Sequence, residues 1–140
     1  MYTPHNFRSG AGAYARVGVE TLAMSASPHQ LIAMLFDGAK TAIGMARHHM
    51  GTGEIEAKGN AISKAMGIVE NGLKASLDAK AAGTEGTTLV SNLSALYDYV
   101  IRRLLYANLH NDASVLDEVD ALLDSLASAW REIEPGRGGF

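Results

Sequence analysis

Three groups of side chains in this sequence have the types that could do chemistry: the pair His48-His49, the lone His110, and Arg102-Arg103 with Tyr99 and Tyr106 beside them. Adjacent residues of a helix point about 100° apart, so His48 and His49 do not chelate as a pair four residues apart would. A di-metal centre in a helical bundle needs Glu-x-x-His pairs from two helices and further inward glutamates, and the sequence has none. Both histidines therefore read as surface residues, and His110 as a helix-end residue that meets the dipole. A chain without cysteine has no disulfide framework and no thiolate zinc site. Neither a Gly-x-Gly-x-x-Gly fingerprint nor a phosphate-binding loop occurs. The expectation is a protein that is not an enzyme and carries no metal and no cofactor.

The charged and aromatic residues point to contacts instead. Arg102 and Arg103 can pair with acids of a neighbouring helix, for instance the Asp117, Glu118 and Asp120 group, while their stems cover apolar surface. Tyr99 and Tyr106 project away from the main apolar stripe of their helix, and tyrosines so placed commonly supply interface contacts.

No proline lies between Pro28 and Pro135, so that interval is free to be helical. Ser27-Pro28-His29-Gln30 has the form of a capping box with proline at the first helical position. The first helix follows, with Leu31, Ile32, Leu35, Phe36, Ala39, Ala42, Ile43 and Ala46 on one broad face, and Gly51 and Gly53 mark its end. A second, over residues 54–81, sets Ile62, Met66, Val69, Leu73 and Leu77 on a narrow stripe. Beside that stripe runs a row of small residues, Ala61, Ala65, Gly72 and Ala75, with Ile68 among them; close packing inside the bundle or a groove for an outside helix would each explain it. Residues 82–87 read as a glycine-rich break, with the third helix starting just after. Asp112 is the expected N-cap of a fourth helix carrying Val115, Val119, Leu122, Leu123, Leu126, Trp130 and Ile133. The expected architecture is all-α: an N-terminal arm over residues 1–26, partly disordered or a short capping helix, an elongated antiparallel four-helix bundle over 27–134, and a flexible tail over 135–140.

The third helix has too much apolar surface. Leu89, Leu93, Leu96, Tyr97, Val100 and Leu104 share a face that widens through Ile101 and Leu105 to Leu109, roughly 220° in all at helical spacing. A helix that faces only its own core needs roughly half that width. The surplus suits a central helix touched on several sides, or a core helix with one flank kept for a partner. A net charge of −3 with scattered basic residues argues against nucleic acid and anionic membrane partners. The absence of a signal peptide or an apolar span argues against membrane insertion and for a cytoplasmic protein.

Several separated segments resemble the FliS family of flagellar secretion chaperones. They are Tyr14-Ala-Arg-Val17, Val19-Glu-Thr21 and the run from Ser25 through Pro28 to Phe36-Asp37-Gly38-Ala39, then Leu96-Tyr97-Asp98-Tyr99, Arg102-Arg103-Leu104, Ala107-Asn108-Leu109, Asn111-Asp112, Glu118-Val119 and Ala129-Trp130. They fall in the family's order across residues 14–133. The resemblance implies an antiparallel helical bundle that binds the C-terminal segment of newly made flagellin in the cytoplasm, prevents premature polymerisation and helps deliver it to the flagellar type III export gate. It leaves room for another flagellar regulator or co-chaperone as a partner. The expected flagellin groove lies on the second and third helices, with Ile68, Tyr97, Ile101 and Leu105 as its candidate residues and Tyr14 and Val17 as a removable N-terminal cover or partner contact. The alternative is a small helical regulatory or adaptor protein that uses its excess apolar surface for self-association.

Overall fold

The computed structural model describes residues 26–77 and 83–133, the side chains of 83–87 excepted. The chain forms two compact units, Met1–Leu31 and Ile32–Phe140. Four helices make up the described residues: α1 over Pro28–Gly51, α2 over Ile55–Gly67 with a π-helical continuation over Ile68–Lys74, α3 over Gly83–His110, and α4 over Ala113–Glu132. The class is all-α, with no strand among the described residues. The expected arm and tail, with Tyr14 and Val17, lie outside them.

Helix ends form where the local chemistry dictates. The Ser27 amide donates to Gln30 Oε1 at 2.8 Å and the Gln30 amide to Ser27 Oγ at 3.1 Å, a complete capping box. After α1 ends at Gly51 the chain reverses at Gly53, whose φ of 75° only glycine adopts without strain. The Glu54 amide then donates to the His49 carbonyl and the Gly53 amide to that of Met50, the paired bonds of a Schellman motif. α3 ends similarly. Asn111 takes a φ of 52°, the Asp112 amide donates to the Ala107 carbonyl at 3.0 Å, and Asp112 Oδ1 accepts from the Ser114 amide to cap α4. The Ser114 hydroxyl, bonded to the same carboxylate, holds the Asp112 carboxyl below its ordinary range.

Cross-helix contacts within residues 32–133 set the helices antiparallel. Lys40 meets Asp124 at 2.5 Å and Arg47 meets Asp117 at 2.6 Å, so α1 and α4 run in opposite senses. Lys74 meets Asp98 at 2.7 Å while Lys58, at the other end of α2, donates to the Asn108 carbonyl at 3.0 Å. α1 and α2 approach through glycine. A Cβ on Gly72 would stand 2.8 Å from Leu35 Cδ2, and one on Gly38 would stand 3.5 Å from Ile68 Cδ1. With Ala65 fully buried in the same row, Ala65 and Gly72 serve close packing inside the bundle, while Ala75 at the end of the row is exposed. The core itself is drawn from every helix, including Ile43, Ile62, Val69, Leu104, Leu116 and Leu123.

Three local expectations change. The break expected over residues 82–87 is helical from Gly83 onward, so α3 starts about a turn early; a glycine within a helix costs only about 1 kcal/mol, too little by itself to forbid this. The second helix does not stay α-helical to residue 81 but passes into the π segment and then a turn at Ala75 and Ser76. On α4, Leu116 is fully buried, Leu122 sits at the edge of the core, and Ile133 is 64% exposed.

Candidate partner-binding surface

α3 sorts its broad apolar face into layers. Val100, Leu104 and Ala107 are fully buried, and Tyr97 retains 4% of its surface. Ile101 is half-buried and packs against the core. Leu105 is 47% exposed and Leu109 72%. Tyr97, Ile101, Leu105 and Leu109 follow at four-residue steps, and each step of an α-helix turns the line by about 40°. That drift carries one apolar line from the interior out to solvent.

The inner end of this line meets a cavity of about 310 Å³ lined by Phe36, Leu73, Leu93, Tyr97 and Trp130, with the exposed Leu89 and Ile133 at its edge. Its walls come from Ile32 and Phe36 of α1, the end of the π-helical segment, Leu89 to Tyr97 of α3 and the last turns of α4. Such a size is at the lower end of ordinary ligand pockets, roughly 300 Å³ and upward, and its walls are almost wholly apolar. Burial raises the Tyr97 hydroxyl above its ordinary pKa, which keeps this tyrosine neutral across the physiological range.

The four residues expected to share one groove therefore occupy distinct settings. Tyr97 lies on the cavity wall, Ile101 at the core's edge and Leu105 on the surface, all on one line of α3. Ile68 is half-buried on the π-helical continuation of α2, with its Cδ1 beside Gly38 of α1. Leu109, the far end of the apolar face read from the sequence, continues the line at 72% exposure. Cavity residues from α1 and α4, Phe36 and Trp130 above all, were not among the expected site residues; they stood in the helical core stripes, and only the tertiary structure shows that they line a cavity.

A polar border runs beside the line. Arg103 Nη2 donates to Glu118 Oε1 at 3.0 Å, and the Tyr99 hydroxyl donates to Glu118 Oε2. These two partners, the tyrosine first, hold the Glu118 carboxyl below its ordinary range. The Arg103 guanidinium also lies 4.9 Å above the Tyr106 ring, a cation–π distance, and Tyr106 in turn stacks at 4.2 Å on His110. Tyr99 and Tyr106 remain partly exposed and are held in place by these contacts. Of the acids expected to meet the arginine pair, Glu118 takes Arg103, while Asp117 is taken by Arg47.

An all-α protein whose surplus apolar surface is organised into a cavity and an exposed line belongs to the class of helical partner-binding proteins. The model of the family "Flagellar protein FliS" matches residues 10–137, and the chain belongs to that family. It is 54% identical over 135 residues to the flagellar secretion chaperone FliS of Salmonella typhimurium, covering 96% of this chain and 94% of that one. It is 48% identical over 123 residues to the flagellar secretion chaperone FliS of Escherichia coli, covering 88% of each chain. A distant relative of the same name from Bacillus subtilis is 30% identical over 120 residues, covering 86% of this chain and 82% of that one. Membership of this chaperone family makes the chain a non-enzyme. No helix of the described residues is long and apolar enough to cross a membrane.

Proposed function

We propose that this chain is a cytoplasmic export chaperone that binds the C-terminal segment of flagellin, keeps it from polymerising prematurely and assists its delivery to the flagellar export gate. The observation that carries this reading is the continuous apolar line from the 310 Å³ cavity through Tyr97 and Ile101 to the exposed Leu105 and Leu109. A filament-forming segment that is apolar on one face has nowhere to bury that face before assembly. Laid along α3 as a helix, it would seat apolar residues at three- and four-residue spacing on the exposed line and one or two in the cavity. Binding then covers the surface the segment needs for self-association. Ordering the segment costs about 2 to 5 kcal/mol of the gross interaction, which leaves an association that is firm yet releasable. Tyr14 and Val17 act in this reading as a removable cover of the same surface.

Fluorescence anisotropy with a labelled flagellin C-terminal peptide tests the placement. Leu105→Asp and Leu109→Asp should leave helicity and melting temperature near those of the parent chain and weaken binding tenfold or more. Parental affinity in both variants would remove the α3 line from the contact.

A further inference from the structure

The turn between α1 and α2 gathers ligand-type side chains that the partner-binding surface does not use. His48 and His49 lie in the last turn of α1, and Glu54 is the N-cap residue of α2 yet makes no side-chain capping bond. The Schellman reversal at Gly53 folds Glu54 back beside the histidines: its Oε1 stands 3.6 Å from His49 Nδ1 and accepts from the Thr52 hydroxyl at 2.7 Å. One donor atom from each of His48, His49 and Glu54 falls within 4.8 Å of the others. His49 Nδ1 is shielded from solvent and faces the Glu54 carboxylate from 3.6 Å, just beyond hydrogen-bond distance, so a cation between the two would give it a bond it otherwise lacks. The divergence of adjacent helical residues, which argued against chelation by the pair alone, is overcome by a third ligand supplied from the turn.

We propose that His48, His49 and Glu54 form a binding site for one late first-row divalent cation, with solvent completing the coordination. Two imidazoles and a carboxylate suit Zn²⁺, Ni²⁺ or Cu²⁺ over Mg²⁺ or Ca²⁺, which take oxygen ligands. Bonds of about 2.0–2.1 Å put tetrahedral ligands about 3.4 Å apart. The 4.8 Å envelope reaches that spacing by side-chain rotation, since His48 and Glu54 are exposed. The Thr52 hydroxyl, donating to Glu54 Oε1, holds the carboxylate beside the histidines. A bound ion would fasten the end of α1 to the start of α2 and stiffen the turn between them.

The test is calorimetric titration of the full chain, purified without a histidine tag, with ZnCl₂, paired with thermal melts and imidazole NMR. The expected result is one saturable site per chain, a raised melting temperature with zinc, and shifts of the His48 and His49 ring signals but not of His110. His49→Gln and Glu54→Gln should each weaken binding tenfold or more, and His110→Gln should leave it unchanged. Binding should also weaken on acidification, as protons compete for the ligands. Undiminished binding in His49→Gln, several equal weak sites, or no saturable heat would each overturn the proposal.

Discussion

Glu118 joins α4 to α3 by receiving both Tyr99 and Arg103, and its lowered pKa fixes the sign of its effect. A carboxyl more acidic in the folded chain than its ordinary 4.5 contributes stability that is present above that value and lost as pH falls through the folded pKa. Asp124, lowered chiefly by its bond to Lys40, acts in the same direction. Glu118→Gln should therefore lower the melting temperature at pH 7, and the gap to the parent should narrow as pH falls below its ordinary 4.5. A gap that persists at pH 2 would mean that the loss is one of packing. Lys58 makes a different case. It is 5% exposed, and its ammonium donates to the Asn108 carbonyl and to Asn111 Oδ1, closing the end of α3 from a neighbouring helix. Lys58→Met strands that carbonyl and should cost about 1–3 kcal/mol in urea unfolding. Nothing in the sequence marks this lysine, because its partners lie about fifty residues away, whereas the Ser27 and Asp112 caps are read from their immediate neighbours.

At the scale of the element, α2 was only half legible. Its stripe of Ile62, Val69 and Leu73 is buried as spaced, but no local pattern announces a π-helical stretch over Ile68–Lys74. Two glycines near that stretch behave oppositely. A Cβ on Gly67 meets nothing within 4 Å, while one on Gly72 runs into Leu35. Gly67→Ala should stabilise the protein by about 0.5–1 kcal/mol by reducing unfolded-chain freedom. Gly72→Ala should forfeit that gain as Leu35 is displaced, and equal stabilisation by both in denaturant melts would show that α1 and α2 are not in close contact there. On α3 the helical wheel measured the width of the apolar face but not which part of it neighbours cover. Hence Tyr97 and Leu105, both expected in one groove, turn out to be a cavity wall and a surface residue. On α4 the same limit misplaced the centre of the stripe: Leu116 and Leu123 are buried while Leu122 lies at the rim.

For the whole molecule, the all-α class and the four helices of the described residues followed from apolar periodicity and caps, while the cavity did not, since its walls come from residues of four helices that only the tertiary structure brings together. The two roles of apolar residues separate by experiment. Leu123→Ala, fully buried in α4, should cost about 2–5 kcal/mol of stability, while the α3 surface variants should spare stability and lose the client. If residues 1–21 cover the surface in the free chain, their deletion should tighten apparent affinity by the inverse of the open fraction; weaker binding would make the arm a direct client contact. Light scattering should find the free chain monomeric at micromolar concentration, because a permanent dimer through Leu105 and Leu109 would consume the surface assigned to flagellin. The most direct measurement is isothermal titration of the full chain with a synthetic flagellin C-terminal segment at several temperatures. The account predicts saturable one-to-one binding with a negative heat-capacity change, the mark of apolar burial. A folded chain that gives no heat and no complex on a sizing column would contradict it.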